Sequence, residues 1–571
     1  MRATRILWIL CILLLMMFAI PYPTQGQTPP PQSPPITLDL AEPFYEYFTT
    51  DPVLATDRTS FTAIENLYLG LLNLDPVTGD LTPELAHAWD ISADGLTYIF
   101  HLRDDVWWVY WMDGQITQWR VVTAGDFVAS IERGCLPNRD ADGKNRYYGT
   151  IIAPLIAGCD VLNALADDAP IPPDTVQVAA PDDFTLQITL ATPAAYFLSM
   201  TALPILHPTP ADTADLPEGV TPTNGPYLAQ ALSSNRRVFV RNPHLPPDLW
   251  YGGNIEVINI NDIQDGGTIY ALFIDNQLDE TPVPQAEIWG VTELPDIRKV
   301  VRIPDDAVFY FGFAHDKPPF DNVHVRRAFS AILDRQAFVE QIRAGRGVPM
   351  AHFTPPEMAY APPREGIGIG FDPDYAREQL ALAGYPDCKG FPNIDMVAYI
   401  GAGTWLEFWA EAAEEYLGCD PALFNTETLE FSVLLEVVGP ESTLEDRPHA
   451  WTLGWGAEFP DAHNWVHDVL HCTDSYASEQ LNRPCSSTDD LIMEAGTNPD
   501  PAERTRLYAE IEEAFFGQDG EMPIAPLFQR MTFVMVQDWY TGSFETDSVM
   551  GMRHWDAYSI DREAKLAARE G

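Results

Sequence analysis

Helical and strand-like patterns of apolar residues alternate along the whole chain. Apolar positions three and four residues apart predict helices at residues 60–72, 123–133, 323–343, 373–383, 404–417 and 501–516. Alternating apolar and polar residues predict strands at 96–102 and 185–190, and residues 36–40 form a further candidate strand. Because strands and helices are mixed throughout, the sequence predicts α/β lobes.

Chain length and the N-terminal pattern indicate a large protein with a signal peptide. The 571 residues exceed the size at which one hydrophobic core keeps growing, so two or three lobes are expected. Two arginines precede an apolar run at residues 6–20, and small residues follow near Gly26. We predict a signal peptide at residues 1–26 and a proline-rich spacer at 27–35. The protein is then periplasmic or otherwise outside the cytoplasm, with tethering by an uncleaved N-terminal segment as the alternative.

Six cysteines follow the predicted signal peptide, an even number for a compartment in which disulfides persist. Pairing each cysteine with its neighbour in sequence gives three local bridges: Cys135 with Cys159, Cys388 with Cys419, and Cys472 with Cys485. Buried free thiols are the alternative. A zinc cluster is disfavoured because the sequence has no Cys-x-x-Cys spacing.

The charge balance is strongly acidic and argues against two classes of partner. Asp and Glu number 83 against 33 Lys and Arg, which gives a formal net charge of −50. Nucleic acid and anionic membrane surfaces both attract concentrated positive charge, so neither is an expected partner. The excess of carboxylates indicates a solubilising exterior. Attraction of cationic ligands is the alternative, which charge alone does not establish.

Local catalytic motifs are missing from the sequence. There is no Gly-x-Ser-x-Gly elbow, His-Glu-x-x-His helix, phosphate-binding loop or dinucleotide fingerprint. The alternate glycines at residues 366–370 lack the dinucleotide spacing and indicate a flexible loop. The sequence therefore favours a binding protein over an enzyme, and no cofactor is expected.

Three histidines, His463, His467 and His471, recur every four residues. On a helix this spacing places them along one face, and an i, i+4 pair is a usable chelate for Ni(II), Cu(II) or Zn(II). The stripe drifts by about 40° per step, so all three could not share one ion. We expect partly exposed helix histidines, with His463 and His467 as weak candidates for a metal site.

Several sequence blocks, in order over most of the chain, carry a family resemblance. They are GDLTPELA at residues 79–86, DGLTY at 94–98 with FHLR at 100–103, VTAGDF at 122–127, NGPY at 224–227 with RNP at 241–243, PPFDN at 318–322 with VRRAF at 325–329 and LDR at 333–335, GWGAEFPD at 454–461, and RLY at 506–508. Together they resemble the extracellular solute-binding protein family 5, and most closely its oligopeptide- and dipeptide-binding members.

The resemblance implies a type II periplasmic binding protein clamp with an inserted domain. Lobe I would comprise residues 36–78, 205–300 and 523–560, lobe II residues 79–204, and lobe III residues 301–522, with a charged tail at 561–571. The resemblance implies a monomer that captures a peptide or another small solute between its lobes and delivers it to the transmembrane subunits of an ABC permease. A nickel or other metal complex and a glycan are alternative ligands.

The resemblance also suggests how one end of a peptide is bound. Peptide binders of this family carry an aspartate where this chain has Glu458, and that aspartate pairs with the α-ammonium group of the ligand. Gly454 and Gly456 flank Trp455, so the backbone can bend and present Trp455, Glu458 and Phe459 to a cleft. The residue after Pro460, Asp461, is placed to cap the helix that follows. A secreted hydrolase using Glu458 and Asp461 as acid and base is a second class of function.

The other contacts to a peptide are implied by the same resemblance. Arg343 falls where some oligopeptide binders carry a lysine that reaches ligand carboxylates, and Tyr147 or Tyr148 matches a tyrosine that touches the peptide backbone. Residues 42–46, which include Glu42 and Phe44, offer a strand edge for pairing with an extended peptide. Dipeptide-binding relatives have a similar spacing to that between Cys472 and Cys485. Two departures, Thr452 for arginine and Ala314 for asparagine, distinguish this chain from particular peptide binders.

Overall fold

Six β-sheets lie in the part of the chain that the structure describes. The computed structural model describes residues 34–42, 48–137, 147–166, 169–233, 235–283, 299–473, 476–544, 546–547 and 552–570. The predicted signal peptide and Phe44 lie outside these residues, as does nearly all of the spacer. Residues Thr37–Gly571 form one compact unit, which contains all six sheets.

A four-stranded sheet starts from the predicted N-terminal strand. In spatial order its strands are Thr37–Glu42, Val257–Asp262, Arg236–Arg241 and Tyr227–Ser233. The first two are parallel and the other neighbours are antiparallel. The first strand therefore lies at the edge of this sheet.

The outer side of this edge strand is fastened by the helix Arg562–Glu570, within the predicted charged tail. Lys565 Nζ donates to the Thr37 carbonyl oxygen at 2.7 Å and to the Asp39 carboxylate at 2.8 Å. Asp279 accepts from the backbone N–H of Asp39 at 2.6 Å. The outer edge of the first strand is therefore occupied by these contacts as far as Asp39.

The largest sheet has seven strands and is built around two long antiparallel strands. In spatial order it contains Glu280–Pro282, Ile524–Val536, Lys299–Phe313, Ala450–Gly456, Ile394–Tyr399 and Phe424–Leu429, and Gly347–Pro349 also pairs with Ile524–Val536. Lys299–Phe313 has a register shift between Pro304 and Val308. Asp305 and Asp306 lie in this irregularity, where Arg58 of the helix Arg58–Leu67 forms ion pairs with both carboxylates.

A second four-stranded sheet lies wholly within residues 79–204. Its strands, in spatial order, are Ala86–Ile91, Thr97–Leu102, Thr185–Thr189 and Val178–Asp182. Three two-stranded sheets complete the set: Leu72–Leu74 with Leu81–Pro83, Trp107–Met112 with Gln115–Val121, and Tyr540–Thr541 with Ser559–Ile560. The division into three lobes stays a prediction.

The helices follow most of the predicted segments, with shifted ends. The α-helices of the described residues are Arg58–Leu67, Ala124–Cys135, Tyr147–Ile152, Cys159–Asn163, Phe197–Met200, Gly266–Ile274, Val323–Ala331, Arg335–Gln341, Pro373–Leu382, Gly403–Ala412, Phe431–Val438, Ala462–Trp465, Tyr476–Glu479, Ser487–Thr497, Pro501–Phe516 and Arg562–Glu570. Among these residues, no helix is long and apolar enough to cross a bilayer.

The prediction of a single helix at 323–343 is wrong, because the first helix ends at Ala331. Asp334 accepts a hydrogen bond from the backbone N–H of Ala337 at 2.9 Å and so caps a second helix, Arg335–Gln341. The buried Arg335 side chain donates to the Pro526 carbonyl oxygen at 2.7 Å and to Ser330 Oγ at 3.0 Å. It therefore satisfies polar groups beside the break.

All three predicted cysteine pairs are disulfide-bonded. The pairs are Cys135 with Cys159, Cys388 with Cys419, and Cys472 with Cys485, each with Cα atoms 5.0 Å apart. The Cys472–Cys485 bridge joins the segment after the predicted site to the start of the helix Ser487–Thr497.

Candidate ligand-binding site

The strand Ala450–Gly456 brings the predicted site residues to one end of the seven-stranded sheet. Gly454 pairs with Phe309 of the neighbouring strand, and a Cβ atom at Gly454 would lie only 2.7 Å from Phe309 Cδ1. A glycine is therefore needed for the ring to pack there. Asp461 accepts from the backbone N–H of His463 at 3.0 Å and caps the helix Ala462–Trp465, as predicted.

The turn between strand and helix is fixed by the buried side chain of Asn464. Its Oδ1 accepts from the backbone N–H of Glu458 at 2.9 Å and from Trp455 Nε1 at 3.2 Å. Its Nδ2 donates to Asp468 Oδ2 at 2.6 Å. Sequence reasoning missed this residue, although an asparagine in the first turn of a helix capped by Asp461 is a usable signal.

Glu458 lines a cavity of about 760 Å³. Burial, and then the negative charge of Asp468, raise the pKa of Glu458 to about 8, against a hydrogen bond with Asn464 that lowers it. The other lining residues come from the segments 151–200 and 459–497: Ile151, Pro154, Leu155, Thr192, Pro193, Tyr196, Met200, Phe459, His463, His467, Asp468, Met493, Gly496 and Thr497. No lysine or arginine is among the described residues that line this cavity. A cation bound beside Glu458 would therefore be a favourable partner.

Five aromatic rings form a stacked column at the side of the cavity, and we call it the ring column. In order it contains Phe459, Tyr196, His463, His467 and His471, with neighbouring ring centroids 5.3, 4.4, 4.7 and 5.3 Å apart. Tyr196 comes from a segment far away in sequence and was missed, because no local pattern marks it.

The expectation of partly exposed helix histidines is wrong for two of the three. His463 and His471 are buried, whereas His467 is half-buried, and its Nδ1 lies 2.7 Å from Asp468 Oδ1. The stacked rings of His463 and His467 differ by only 23° in plane, so their in-plane lone pairs do not converge on one ion. Within the described residues, one group of potential metal ligands lies close together: His471, Cys472 and Asp489. The sulfur of Cys472 is oxidised in a disulfide.

Asp461 is held by buried partners and is not available as an acid or base. Arg504 donates to its two carboxylate oxygens at 3.1 and 2.7 Å, and Ser199 Oγ donates at 3.0 Å. Asp461 is fully buried. The hydrolase hypothesis with Glu458 and Asp461 as a catalytic pair is therefore not supported. The Ser199 contact instead ties the segment that follows the second sheet to the Glu458 region.

Arg343 lies apart from the cavity, two residues beyond the end of the helix Arg335–Gln341. Its guanidinium carbon is 4.9 Å from the Phe528 ring centroid and 5.5 Å from that of Trp405. Burial lowers the pKa of Arg343, and its Nε is buried without a hydrogen-bond partner. Phe528 stacks on Phe309 at 5.1 Å, so one pair of rings connects Arg343 to the Gly454 strand.

The remaining predicted contacts are only partly described. Tyr148 lies in the helix Tyr147–Ile152, three residues before the cavity residue Ile151, and its side chain is outside the described residues. Glu42 accepts a hydrogen bond from Arg237 Nη2 at 3.0 Å. Burial nevertheless raises the pKa of Glu42, against the lowering effect of Arg237. Glu42 thus has a partner within its own sheet.

Comparison with known proteins gives one family and many relatives. A family model described as "Bacterial extracellular solute-binding proteins, family 5 Middle" matches residues 80–477. The periplasmic oligopeptide-binding protein OppA of Escherichia coli is 25% identical over 85% of this chain and 86% of its own length. A probable deoxycholate-binding periplasmic protein, YgiS, of the same organism is 29% identical over 87% of this chain and 88% of its own.

Solved structures share the fold. The unliganded open form of the periplasmic murein tripeptide-binding protein MppA aligns with a TM-score of 0.76 at 20% identity, over 92% of this chain and 98% of that one. The binding protein DppA of Helicobacter pylori, in complex with the peptide STSA, aligns with a TM-score of 0.61 at 21% identity, over 92% of this chain and 98% of that one.

Proposed function

The chain belongs to the bacterial extracellular solute-binding proteins, family 5, and we propose that it captures peptides for an ABC importer. The observation that carries this proposal is the cavity at Glu458. A carboxyl group with a raised pKa, in a cavity without lysine or arginine among its described lining residues, is stabilised by a cationic ligand group. The α-ammonium group of a peptide supplies that charge.

We place the carboxylate end of the ligand at Arg343. Its guanidinium is packed against two aromatic rings, and its buried Nε has no hydrogen-bond partner. A charge-assisted hydrogen bond to a carboxylate is shorter and stronger than a neutral one. The ligand would then cross Phe309, whose ring stacks on that of Phe528, next to Gly454 and Trp455. Tyr148 and the edge strand at Glu42 and Phe44 would provide further contacts.

Capture proceeds by closure of the three predicted lobes around the ligand. Closure removes water and strengthens each polar contact in the cleft. Backbone pairing with strand edges would give affinity that depends little on side-chain identity.

The proposal includes the setting of the protein. The relatives OppA and YgiS are periplasmic, and we place this chain in the same compartment, tethered only if the N-terminal segment is uncleaved. It would work as a monomer that delivers solute to the transmembrane permease subunits. It would have no catalytic activity, because its function is solute binding.

Calorimetric titration tests the proposal with two matched ligands, tetra-alanine and N-acetyl-tetra-alanine. Acetylation should weaken binding to the wild type about tenfold or more, as expected for loss of a charge-assisted hydrogen bond. Glu458→Gln should remove this difference, whereas the exposed Glu411→Gln should preserve it. Equal affinity of wild type and Glu458→Gln for the free-amine peptide would exclude Glu458 from the site.

A further inference from the structure

The polar groups of the Glu458 cavity suggest more than one positive charge on the ligand. Asp468 lines the same cavity as Glu458 and carries a second carboxylate. Its oxygens accept from Asn464 Nδ2 at 2.6 Å and lie 2.7 Å from His467 Nδ1, so its position is fixed by residues of its own helical segment. A carboxylate oxygen has two lone pairs and can accept more than one donor.

His463 adds a third polar group to the cavity wall. It is only 4% exposed, and its Nδ1 is buried without a hydrogen-bond partner. Burial lowers the pKa of His463 well below its ordinary value, and the neighbouring His467 and Arg504 lower it further, so the ring is neutral. An unsatisfied buried ring nitrogen costs free energy that a ligand N–H group can recover.

Apolar side chains form most of the remaining wall. Ile151, Leu155, Pro193, Met200 and Met493 line the cavity together with four members of the ring column, Phe459, Tyr196, His463 and His467. The cavity volume of about 760 Å³ is in the range of small-molecule sites. Long cationic side chains place their alkyl stem along apolar surface and their charged end at polar groups. The wall and its acceptors fit that type of side chain.

We propose that the cavity selects ligands whose first residue carries a second cation on an apolar stem, as in lysine or arginine. The α-ammonium group binds Glu458, and the side-chain cation binds Asp468, with His463 as a further acceptor. This specificity rests on the proposed function, because it assumes that the amino end of the ligand enters the Glu458 cavity. A free diamine has the same chemistry and is distinguished by the test.

The test compares four tripeptides that differ only in the first residue: lysine, norleucine, Nε-acetyl-lysine or glutamate, each followed by two alanines. Calorimetry should show the lysine peptide binding about tenfold or more tightly than the norleucine and acetyl-lysine peptides, and the glutamate peptide most weakly. A diamine, 1,5-diaminopentane, should bind more weakly than the lysine peptide, because it lacks the peptide backbone and carboxylate. Tighter binding of the diamine would overturn the peptide form of the proposal.

Asp468→Asn identifies the group responsible. It should abolish the preference for lysine over norleucine, so that the two peptides bind the variant with affinities within about twofold of each other. Equal affinities of the four peptides in the wild type, or a lysine preference that survives Asp468→Asn, would overturn the proposal. The comparison of the lysine and acetyl-lysine peptides uses the wild-type protein alone. It therefore tests the proposal even if Asp468→Asn misfolds. The proposed function has its own readout: loss of affinity of the norleucine peptide on N-terminal acetylation.

Discussion

Binding of a ligand ammonium group beside Glu458 should release a proton. In the empty site, burial raises the pKa of Glu458 to about 8, so roughly nine-tenths of the molecules carry a protonated carboxyl group at pH 7. An opposite charge within hydrogen-bond distance lowers such a pKa by about 1 to 3 units. With a bound-state pKa of roughly 6, most of these protons leave when the ligand binds.

The expected release can be worked out for pH 7. Glu458 loses about 0.8 of a proton, and the ligand amine, which has a pKa near 8 when free, takes up about 0.1. The net release is about 0.7 of a proton per ligand. Because the bound state prefers the ionised carboxylate, the affinity should rise as pH increases from about 6 to 8. Above pH 8 deprotonation of the ligand amine reverses this trend, so the affinity should peak near pH 8.

The assay is calorimetric titration of tetra-alanine at pH 7 in phosphate, HEPES and Tris, whose ionisation enthalpies differ. The slope of the observed enthalpy against the buffer enthalpy gives the number of protons released. Other titratable groups near the cavity, including His467 and Asp468, are present in both proteins, so Glu458→Gln is the control and should show a slope near zero. Proton uptake by the wild type, or the same slope in both proteins, would refute the reasoning.

Three further predictions concern the frame around the site. Burial, and then the hydrogen bond with Asp305, raise the pKa of Asp306 to about 7 in the folded protein. Protonation therefore favours folding, and the stability falls as pH rises from about 4 to 7. Asp306→Asn should flatten the change in melting temperature between pH 5 and 8, and identical profiles for variant and wild type would contradict this. Replacing both Cys472 and Cys485 by serine should lower the free energy of unfolding by about 3 kcal/mol in urea titrations, since the bridge closes a 13-residue separation, whereas an unchanged urea midpoint would oppose it. Gly454→Ala should lower the free energy of unfolding by about 1 to 3 kcal/mol in urea titrations, because the added methyl group collides with the Phe309 ring that it faces, and an unchanged urea midpoint would show that this packing is irrelevant.

The sequence predicts local features of this protein better than its long-range contacts. The cap at Asp461 and the strand before Glu458 follow from residues within one short segment, and both are present in the structure. Tyr196 lies between Phe459 and His463 in the ring column, more than 260 residues from either in sequence. No periodicity encodes such a contact, because it depends on how distant segments pack.

The broken helix shows a different limit. The apolar pattern at 323–343 continues through the break, so periodicity alone predicts one helix. The structure ends the first helix at Ala331 because Asp334 provides a cap and Arg335 supplies donors to nearby oxygen atoms. Those donors act through tertiary contacts, which a pattern read in one dimension does not contain.

The docking of the last helix on the first strand has a consequence for synthesis. Lys565 and Thr37 are bonded although they are 528 residues apart in sequence. At about 5 to 20 residues per second, a ribosome needs roughly half a minute to two minutes to make the intervening chain. During that time the outer side of the first strand lacks its final partner and can pair with another nascent chain. The last helix can therefore dock on the first strand only after the whole polypeptide has been made. Before that, chaperones that bind extended segments can protect the first strand.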